Sequence, residues 1–354
     1  AFFAVTLSRP ESASSASFKE EMIAKAKKEG ELVLVGSVVE DIRQGIPTFR
    51  KRYPFIKIKA IEMNTKSTVN RVSLEAKAGR LTIDWTDISE DGAELFVRQG
   101  LNAKYDFPHL KDYYPKTQPP HGLWVGGMAN PRVQGAYNTN LIKPEDVPKS
   151  WEEMTDIKWK GKTMLSSSAE DIPGRLAWMF HDKDGKWGWD RAFDIFTKLK
   201  AQNPIIARGF SGGNQQVAAG EVAIFWFTPA SPGAMLALTK GAPMGLIAFP
   251  KFFGGFRAWS VHKDAPHPAS AWLLTDYLTS AEGQSEITEI GGEAGGFLPL
   301  NQKAKPGRLI QWVMKQGGTV ENMIPIDLAN LKEIYAPENQ EKSEKFFFKL
   351  MGLR

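Results

Sequence analysis

Hydroxyl and carboxylate side chains follow directly after the predicted strands of this 354-residue chain. Ser37 and Glu40 come after the first predicted strand, and Ser89 and Glu90 come after the third. Open α/β sheets bind ligands in the crevice outside the carboxyl ends of their strands. The spacing therefore predicts that these residues line a site for a small molecule.

A serine run follows a predicted strand in the middle of the chain. Ser167 and Ser168 precede a helix, and their hydroxyls and free amides could take a ligand's anionic group. Ser167 and Glu170 also fit the S-x-x-E capping box, in which the two side chains cap a helix. Glu170 and Asp171 already supply negative charge in this turn, which favours the helix cap over anion binding.

The sequence shows none of the common catalytic motifs that we searched for. The five histidines show no spacing typical of metal ligands, and cysteine is absent. No nucleophile elbow, Walker loop or dinucleotide-binding glycine motif occurs, and the glycine-rich stretch 209–213 lacks the lysine of a P-loop. We therefore expect a binding protein that is not an enzyme, without a resident metal or cofactor.

Charge and hydropathy exclude two further classes. The net charge is +5, but the basic residues are interleaved with acids and no nucleic-acid-binding motif accompanies them. No run of about 18 apolar residues occurs, so no membrane span is predicted. The apolar stretch 1–7 and the small polar stretch 12–17 resemble the end of a signal peptide, with an ordinary N-terminal arm as the equal alternative.

Strands that alternate with helices must position these residues. Strands are predicted at 31–35, 56–61 and 83–88 and helices at 18–29, 42–53 and 67–78, a pattern typical of a mostly parallel sheet. A second α/β set follows, and irregular segments near 127–132 and 253–258 divide the two. The predicted domains are an arm with the first helix (1–29), lobe 1 (30–128 and 258–300), lobe 2 (129–257) and a C-terminal helical segment (301–354).

Several short motifs resemble those of bacterial ABC-transporter extracellular solute-binding proteins of the ferric-iron, polyamine and organic-solute class. They occur in the order of that family, at 29–33 (EGELV), 137–140 (YNTN), 144–153 (PEDVPKSWEE), 159–162 (WKGK), 218–223 (AAGEVA) and 277–284 (YLTSAEGQ). The resemblance implies a type II periplasmic binding fold, with two α/β lobes, two crossing strands and a ligand cleft between the lobes. It also implies secretion to the periplasm and delivery of a solute to an ABC permease, and we expect a monomer.

The resemblance also bears on the ligand. The iron-binding members hold ferric ion with a histidine, a glutamate and a pair of tyrosines, and here these positions align with Val39, Glu90 and Ala230–Ser231. Ferric ion requires several anionic oxygens, and alanine and serine cannot replace two phenolates. Free ferric iron is therefore disfavoured, although an iron chelate stays an alternative.

A small organic anion is the predicted ligand. Arg208 and Arg257 could each bind a carboxylate or phosphonate with both arms of the guanidinium, unless they form ion pairs within the protein. Trp226 and Phe227 end a strand and could stack on the ligand, unless they belong to the strand core. Thr228 and Ser231, which follow in the same segment, are also predicted to contact the ligand.

Three other functions stay open. A cationic amine could be held by Glu40, Glu90 and Asp171. The same fold could also serve as an enzyme or as a ligand-sensing domain, since fold does not determine function.

Overall fold

The computed structural model describes residues 11–249, 254–290, 292–324 and 326–353. The apolar stretch 1–7 lies outside the described residues, whereas 12–17 belongs to the first helix. Within the described ranges, no helix is both long and apolar enough to cross a membrane.

The strands, in chain order, are β1 (Glu31–Gly36), β2 (Lys57–Glu62), β3 (Trp85–Ser89), β4 (Val125–Asn130), β5 (Arg132–Asn138), β6 (Thr163–Ser166), β7 (Ile205–Ala207), β8 (Ile224–Pro229), β9 (Met244–Ile247), β10 (Gly255–Val261) and β11 (Leu298–Pro299). The α-helices are α1 (Glu11–Glu29), α2 (Val39–Gln44), α3 (Pro47–Arg52), α4 (Thr65–Lys77), α5 (Glu90–Arg98), α6 (Trp151–Met154), α7 (Ile172–Met179), α8 (Trp189–Ala201), α9 (Phe210–Ala219), α10 (Ala230–Lys240), α11 (Pro268–Thr279), α12 (Ala281–Ile290), α13 (Arg308–Lys315), α14 (Val320–Met323), α15 (Leu331–Ile334) and α16 (Pro337–Met351). Short 3-10 helices lie at Pro108–Asp112, Pro144–Asp146, Ile157–Trp159, Glu293–Gly296 and Leu328–Asn330.

These strands form two mixed sheets, and each sheet is the centre of one lobe. Lobe 1 has the strand order β11-β4-β10-β3-β1-β2, and lobe 2 has the order β7-β6-β8-β5-β9. The neighbours β1, β2 and β3 run parallel, as do β6, β7 and β8. Helices joining parallel strands cover the sheets, which is why the inner strands are largely buried, whereas the edge strands β2 and β7 are more exposed. The predicted two-lobed α/β fold is confirmed.

Two segments cross between the lobes. The chain passes from β4 to β5 through Pro131, and it returns to lobe 1 between β9 and β10. The crossings lie side by side, because Gly255 pairs with Asn130 at the start of β10. Strand β10 then enters the middle of the lobe 1 sheet, between β4 and β3.

The single helix predicted over 42–53 is in fact two short helices, α2 and α3. The break falls at Ile46, whose φ of −125° and ψ of 53° are not helical. Pro47 explains the break, because proline has no amide hydrogen to donate and disfavours the helical conformation in the residue before it.

The C-terminal segment connects the lobes a third time. Near its middle, the Leu328 amide donates to the Lys116 carbonyl of lobe 1. Arg98 of lobe 1 likewise donates to the Tyr335 carbonyl at 2.7 Å. Helix α16 then packs on α7 and α8 of lobe 2 and buries Phe347 there. The predicted C-terminal helical segment therefore contacts both lobes.

A buried histidine lies in the core of lobe 1. His262 is fully buried, its ring meets Phe96 edge to face, and neither ring nitrogen has a hydrogen-bond partner among the described residues. Burial penalises the charged imidazolium and outweighs an opposing interaction with the Leu101 backbone, so the pKa of His262 is lowered to about 4. The ring is therefore neutral in the folded protein above about pH 4.

His262 should make the protein less stable as the pH falls. In the unfolded chain a histidine takes up its proton near pH 6.5, whereas the folded protein excludes that proton until about pH 4. Between these values the free energy of unfolding should fall by about 3 kcal/mol, and His262→Leu should remove this part of the pH dependence. Urea titrations from pH 7 to pH 4 measure it, with exposed His181→Leu as the control. An unchanged slope in His262→Leu would contradict the expectation.

Candidate functional site

Buried charges from both lobes and the C-terminal segment meet at Glu90, the first residue of α5. Glu90 is 1% exposed and accepts three hydrogen bonds. They come from Arg175 Nη1 at 3.0 Å, from the Tyr335 hydroxyl at 2.5 Å and from the Phe256 amide at 3.0 Å. Gly255 makes room for this carboxylate, because a Cβ there would lie 2.3 Å from Glu90 Oε1. We call Glu90, Asp171, Arg175 and Tyr335 the inter-lobe network.

Arg175 is the cation of this network. Its Nε donates to Asp171 Oδ2 at 2.7 Å, and Nη1 also donates to the Gly254 carbonyl at 3.0 Å. Its guanidinium carbon lies 5.7 Å from the centre of the Tyr335 ring. Burial alone would lower the pKa of Arg175, but Tyr335, Glu90 and Asp171 outweigh it and raise the pKa well above its usual value. Arg175 therefore stays charged.

Asp171 joins a second arginine to the network. Arg132 Nη1 donates to both carboxylate oxygens of Asp171, at 3.2 and 3.1 Å. Burial would raise the pKa of Asp171, but Arg132 and Arg175 together lower it to about 2. Asp171 is thus an ion-pair partner of two arginines, which leaves it no free charge for the cationic amine considered from the sequence.

Arg257 forms an ion pair inside lobe 1, the alternative that the sequence left open. It is 7% exposed, and its Nε and Nη2 donate to Asp87 Oδ1 and Oδ2 at 3.1 and 2.7 Å. Trp259 donates to the same carboxylate at 3.2 Å. Nε and Nη2 are both occupied, and Nη2 also donates to the Asp87 carbonyl at 2.9 Å, so Arg257 does not present a free pair of donors to an anion.

The aromatic residues of β8 also take their alternative role, in the strand core. Trp226 is fully buried and donates to Gln202 Oε1 at 3.0 Å. Phe227 is fully buried and stacks on Phe196, with ring centres 5.2 Å apart. In this conformation neither ring has surface left for a ligand.

Four further predicted site residues are buried or bonded within the protein. Thr228 is fully buried and accepts a hydrogen bond from Asn214 Nδ2 at 2.7 Å. Ser231 is buried against Gly296 of lobe 1, where an added Cβ would clash with the serine. Val39 lies in the apolar core, and Glu40 is bound by Arg43 and Gln44, whose hydrogen bonds lower its pKa to about 2.

One group of predicted residues is brought together at the carboxyl edge of the lobe 2 sheet. Strands β6 and β7 are parallel neighbours, and the Ser167 amide donates to the Ala207 carbonyl at 2.9 Å. Arg208 therefore lies beside Ser167 and Ser168, directly before helix α9. Arg208 and Ser168 are exposed, and within the described part of the chain Arg208 has no hydrogen bond or ion pair.

Three acidic side chains, none of them among the predicted site residues, lie on the lobe 1 side. Burial raises the pKa of Asp41, which also accepts a hydrogen bond from the Ala294 amide at 3.2 Å. Burial and then the charge on Asp41 raise the pKa of Glu62. Burial raises the pKa of Glu293, helped by Asp41 and Glu62 and opposed by Arg257. Ser37 and Ser89 are partly exposed near this acidic side.

Metal ligation has little support in this arrangement. Of the positions that align with iron ligands, Val39 and Ala230 are apolar, Ser231 carries a neutral hydroxyl, and Glu90 is occupied by Arg175 and Tyr335. Among the described residues, no group of three or more histidine, aspartate or glutamate side chains is placed to hold a metal ion.

A separate cavity of about 500 Å³ opens at the other end of lobe 2. It lies at the amino ends of β6 and β8, and its lining includes Lys158, Trp159, Lys162 and Glu221. None of the predicted site residues borders this cavity, and no residue of the inter-lobe network lines it.

Residues 46–315 match the family described as bacterial extracellular solute-binding protein, and the chain belongs to that family. The Fe(3+)-binding periplasmic protein of Serratia marcescens is 24% identical over 217 residues, which are 55% of this chain and 56% of that protein. The chain thus spans about half the length of this curated relative.

Two solved structures share the fold. The periplasmic binding protein AfuA of Actinobacillus pleuropneumoniae, with fructose-6-phosphate bound, has a TM-score of 0.72 and 20% identity, covering 92% of this chain and 99% of that one. Iron-bound HitA of Pseudomonas aeruginosa has a TM-score of 0.69 and 20% identity, covering 88% and 99%. Both are likenesses of fold.

The structural role of the buried Arg257–Asp87 ion pair can be tested by substitution. Arg257→Ala should lower the free energy of unfolding by about 3 to 5 kcal/mol, because Asp87 would be left buried without its counter-ion. The partly exposed pair of Arg43 and Glu40 is the control, and Arg43→Ala should cost less than about 1 kcal/mol. Urea unfolding without ligand measures both. A loss below about 1 kcal/mol for Arg257→Ala would contradict the structural role.

Proposed function

We propose that this protein is a periplasmic receptor that binds a small organic anion between its lobes and delivers it to the permease of an ABC importer. The main support for this proposal is Arg208, which lies beside the hydroxyls of Ser167 and Ser168. Arg208 is exposed and has no ion-pair partner among the described residues. Arg132, Arg175 and Arg257 are already engaged by carboxylates. Arg208 is thus available to pair with a ligand.

The start of helix α9 supports an anion at the same place. Gly209 precedes the helix with a φ of +76°, a conformation that glycine adopts without strain. The first amides of a helix lack partners within it and carry partial positive charge, so anions bind there favourably. A carboxylate or phosphate beside Arg208 would gain both interactions.

The acidic side chains of lobe 1 favour a ligand that carries hydrogen-bond donors in addition to its anionic group. Asp41, Glu62 and Glu293 accept hydrogen bonds and repel negative charge, so the opposite end of the ligand should carry hydroxyl or amino donors. A sugar phosphate has this chemistry, and the AfuA structure contains fructose-6-phosphate. This class is our leading proposal for the ligand.

A cationic amine is the second candidate, favoured by the same acidic side chains. Bare ferric ion is a weaker candidate despite the names of the Serratia marcescens relative and of HitA. Ferric ion needs several anionic oxygens, and this chain has Val39, Ala230 and Ser231 where the resemblance aligns them.

Arg208→Ala should weaken binding of the organic anion at least 30-fold, because an arginine that binds a desolvated anion contributes about 2 kcal/mol or more. Calorimetric titrations with fructose-6-phosphate, citrate and spermidine measure this. Arg80→Ala is the matched control, since Arg80 is also exposed and lies just beyond α4. It should stay within about threefold of the parent.

Two outcomes would refute the anion proposal. The first is that Arg208→Ala binds the organic anion as tightly as Arg80→Ala does. The second is that the parent protein binds spermidine alone, which would select the cationic amine instead.

Ligand binding should also close the lobes. A ligand that contacts both lobes favours the closed state, and the two crossings, near the predicted lobe boundaries at 128 and 257, are where we propose that the chain bends. Whichever of fructose-6-phosphate and citrate binds should reduce the radius of gyration in solution scattering and raise the melting temperature. Tight binding with neither change would exclude the hinged mechanism.

A further inference from the structure

Four oxygen-bearing groups from distant parts of the chain surround the guanidinium of Arg175. Glu90 Oε1 lies 3.0 Å from Nη1, the Gly254 carbonyl lies 3.0 Å from Nη1, and Asp171 Oδ2 lies 2.7 Å from Nε. The Tyr335 hydroxyl is hydrogen-bonded to the same Glu90 oxygen at 2.5 Å. Arg175 is therefore held in a shell of two carboxylates, one phenol and one carbonyl.

Without the guanidinium of Arg175, this shell would present only oxygen groups, which is the chemistry of a site for a hard metal cation. Carboxylate, phenolate and carbonyl oxygens are the ligands that such cations prefer, and a phenolate favours ferric ion in particular. Glu90 and Arg175 are buried, 1% and 8% exposed, whereas the Asp171 side chain is 39% exposed and reaches water. A cation is needed to compensate the buried carboxylate of Glu90, and the protein supplies one from its own chain.

We propose that Arg175 determines specificity: its guanidinium is a permanent internal cation in a place that a metal ion would otherwise take. A metal cannot enter without displacing a side chain that three hydrogen bonds hold, and the positive charge repels it. The receptor thereby rejects metal ions and keeps its cleft for another solute. This inference rests on the proposed function, in which that solute is an organic anion.

The charge state of the network agrees with this role. Tyr335, Glu90 and Asp171 raise the pKa of Arg175 well above its usual value. Burial raises the pKa of Tyr335 well above its own, so this hydroxyl is a phenol that donates to Glu90 while Arg175 is present. A phenol becomes a metal ligand when a multivalent cation displaces its proton, and Arg175 prevents that approach.

The test is to remove the internal cation and offer a metal. Parent protein, Arg175→Ala and Arg175→Lys are each titrated with ferric nitrilotriacetate and followed by visible absorption and melting temperature. Arg175→Ala should bind one ferric ion, develop the phenolate-to-iron charge-transfer band and melt at a higher temperature with metal than without. The parent and Arg175→Lys, which both keep a positive charge, should stay colourless.

Further variants identify the ligands and guard against misfolding. In the Arg175→Ala background, Tyr335→Phe should abolish the coloured band, and Glu90→Gln should weaken metal binding. Arg132→Ala is the matched control. Within the described part of the chain, Arg132 also pairs with Asp171 but forms no hydrogen bond or ion pair with Glu90 or Tyr335, so this variant should gain no band. If Arg175→Ala does not fold, Arg175→Gln keeps much of the side chain's length without its charge.

Two results would overturn the inference. One is a coloured stoichiometric ferric complex of the parent protein. The other is the absence of ferric binding by a folded Arg175→Ala or Arg175→Gln variant. Neither result depends on the titrations of Arg208→Ala. If the Arg175→Ala variant gains ferric binding while the parent protein binds only spermidine, this inference is retained and the organic-anion proposal is refuted.

Discussion

A buried ion pair between Glu90 and Arg175 joins the two lobes, and much of the site depends on how its charges are satisfied. Removing two charges from water costs several kcal/mol for each ion, which their attraction repays only when the remaining hydrogen bonds are also made. The Phe256 amide, the Tyr335 hydroxyl and Asp171 supply those bonds. The pair therefore requires a crossing strand, the C-terminal segment and helix α7 to be in place together.

The charged residues between the lobes therefore fall into two groups. Some are paired with charges of the protein itself, and others are available to pair with a ligand. Arg132, Arg175 and Arg257 each face a carboxylate, so they contribute to architecture before any ligand arrives. Arg208 stands apart on the lobe 2 edge, and Asp41 stands on the opposite acidic side. In the site that we propose, these opposite charges favour a ligand that is itself polar at both ends, and they disfavour an apolar one.

The sequence predicted the alternating strands and helices well because apolar runs, glycine stops and helix caps are local signals. It also predicted that Ser167 and Ser168 lie at the sheet edge, since they directly follow a strand. The sequence could not decide whether Trp226 contacts a ligand or packs in the core, because a strand that is covered on both faces is apolar throughout. The contact of Glu90 with Tyr335 spans 245 positions, and no local pattern reports such a pairing.

The position of β10 has a consequence for the order in which the chain can fold as it is synthesised. Every strand of the lobe 2 sheet lies between Arg132 and Ile247, so that sheet is complete in one continuous stretch. The lobe 1 sheet is different, because β10 separates β4 from β3 and arrives only at Gly255–Val261. Until then its N-terminal strands have open edges, which are prone to wrong pairing. The lobe that is begun first must therefore be finished last, and a nascent chain would need its edges shielded through most of its synthesis.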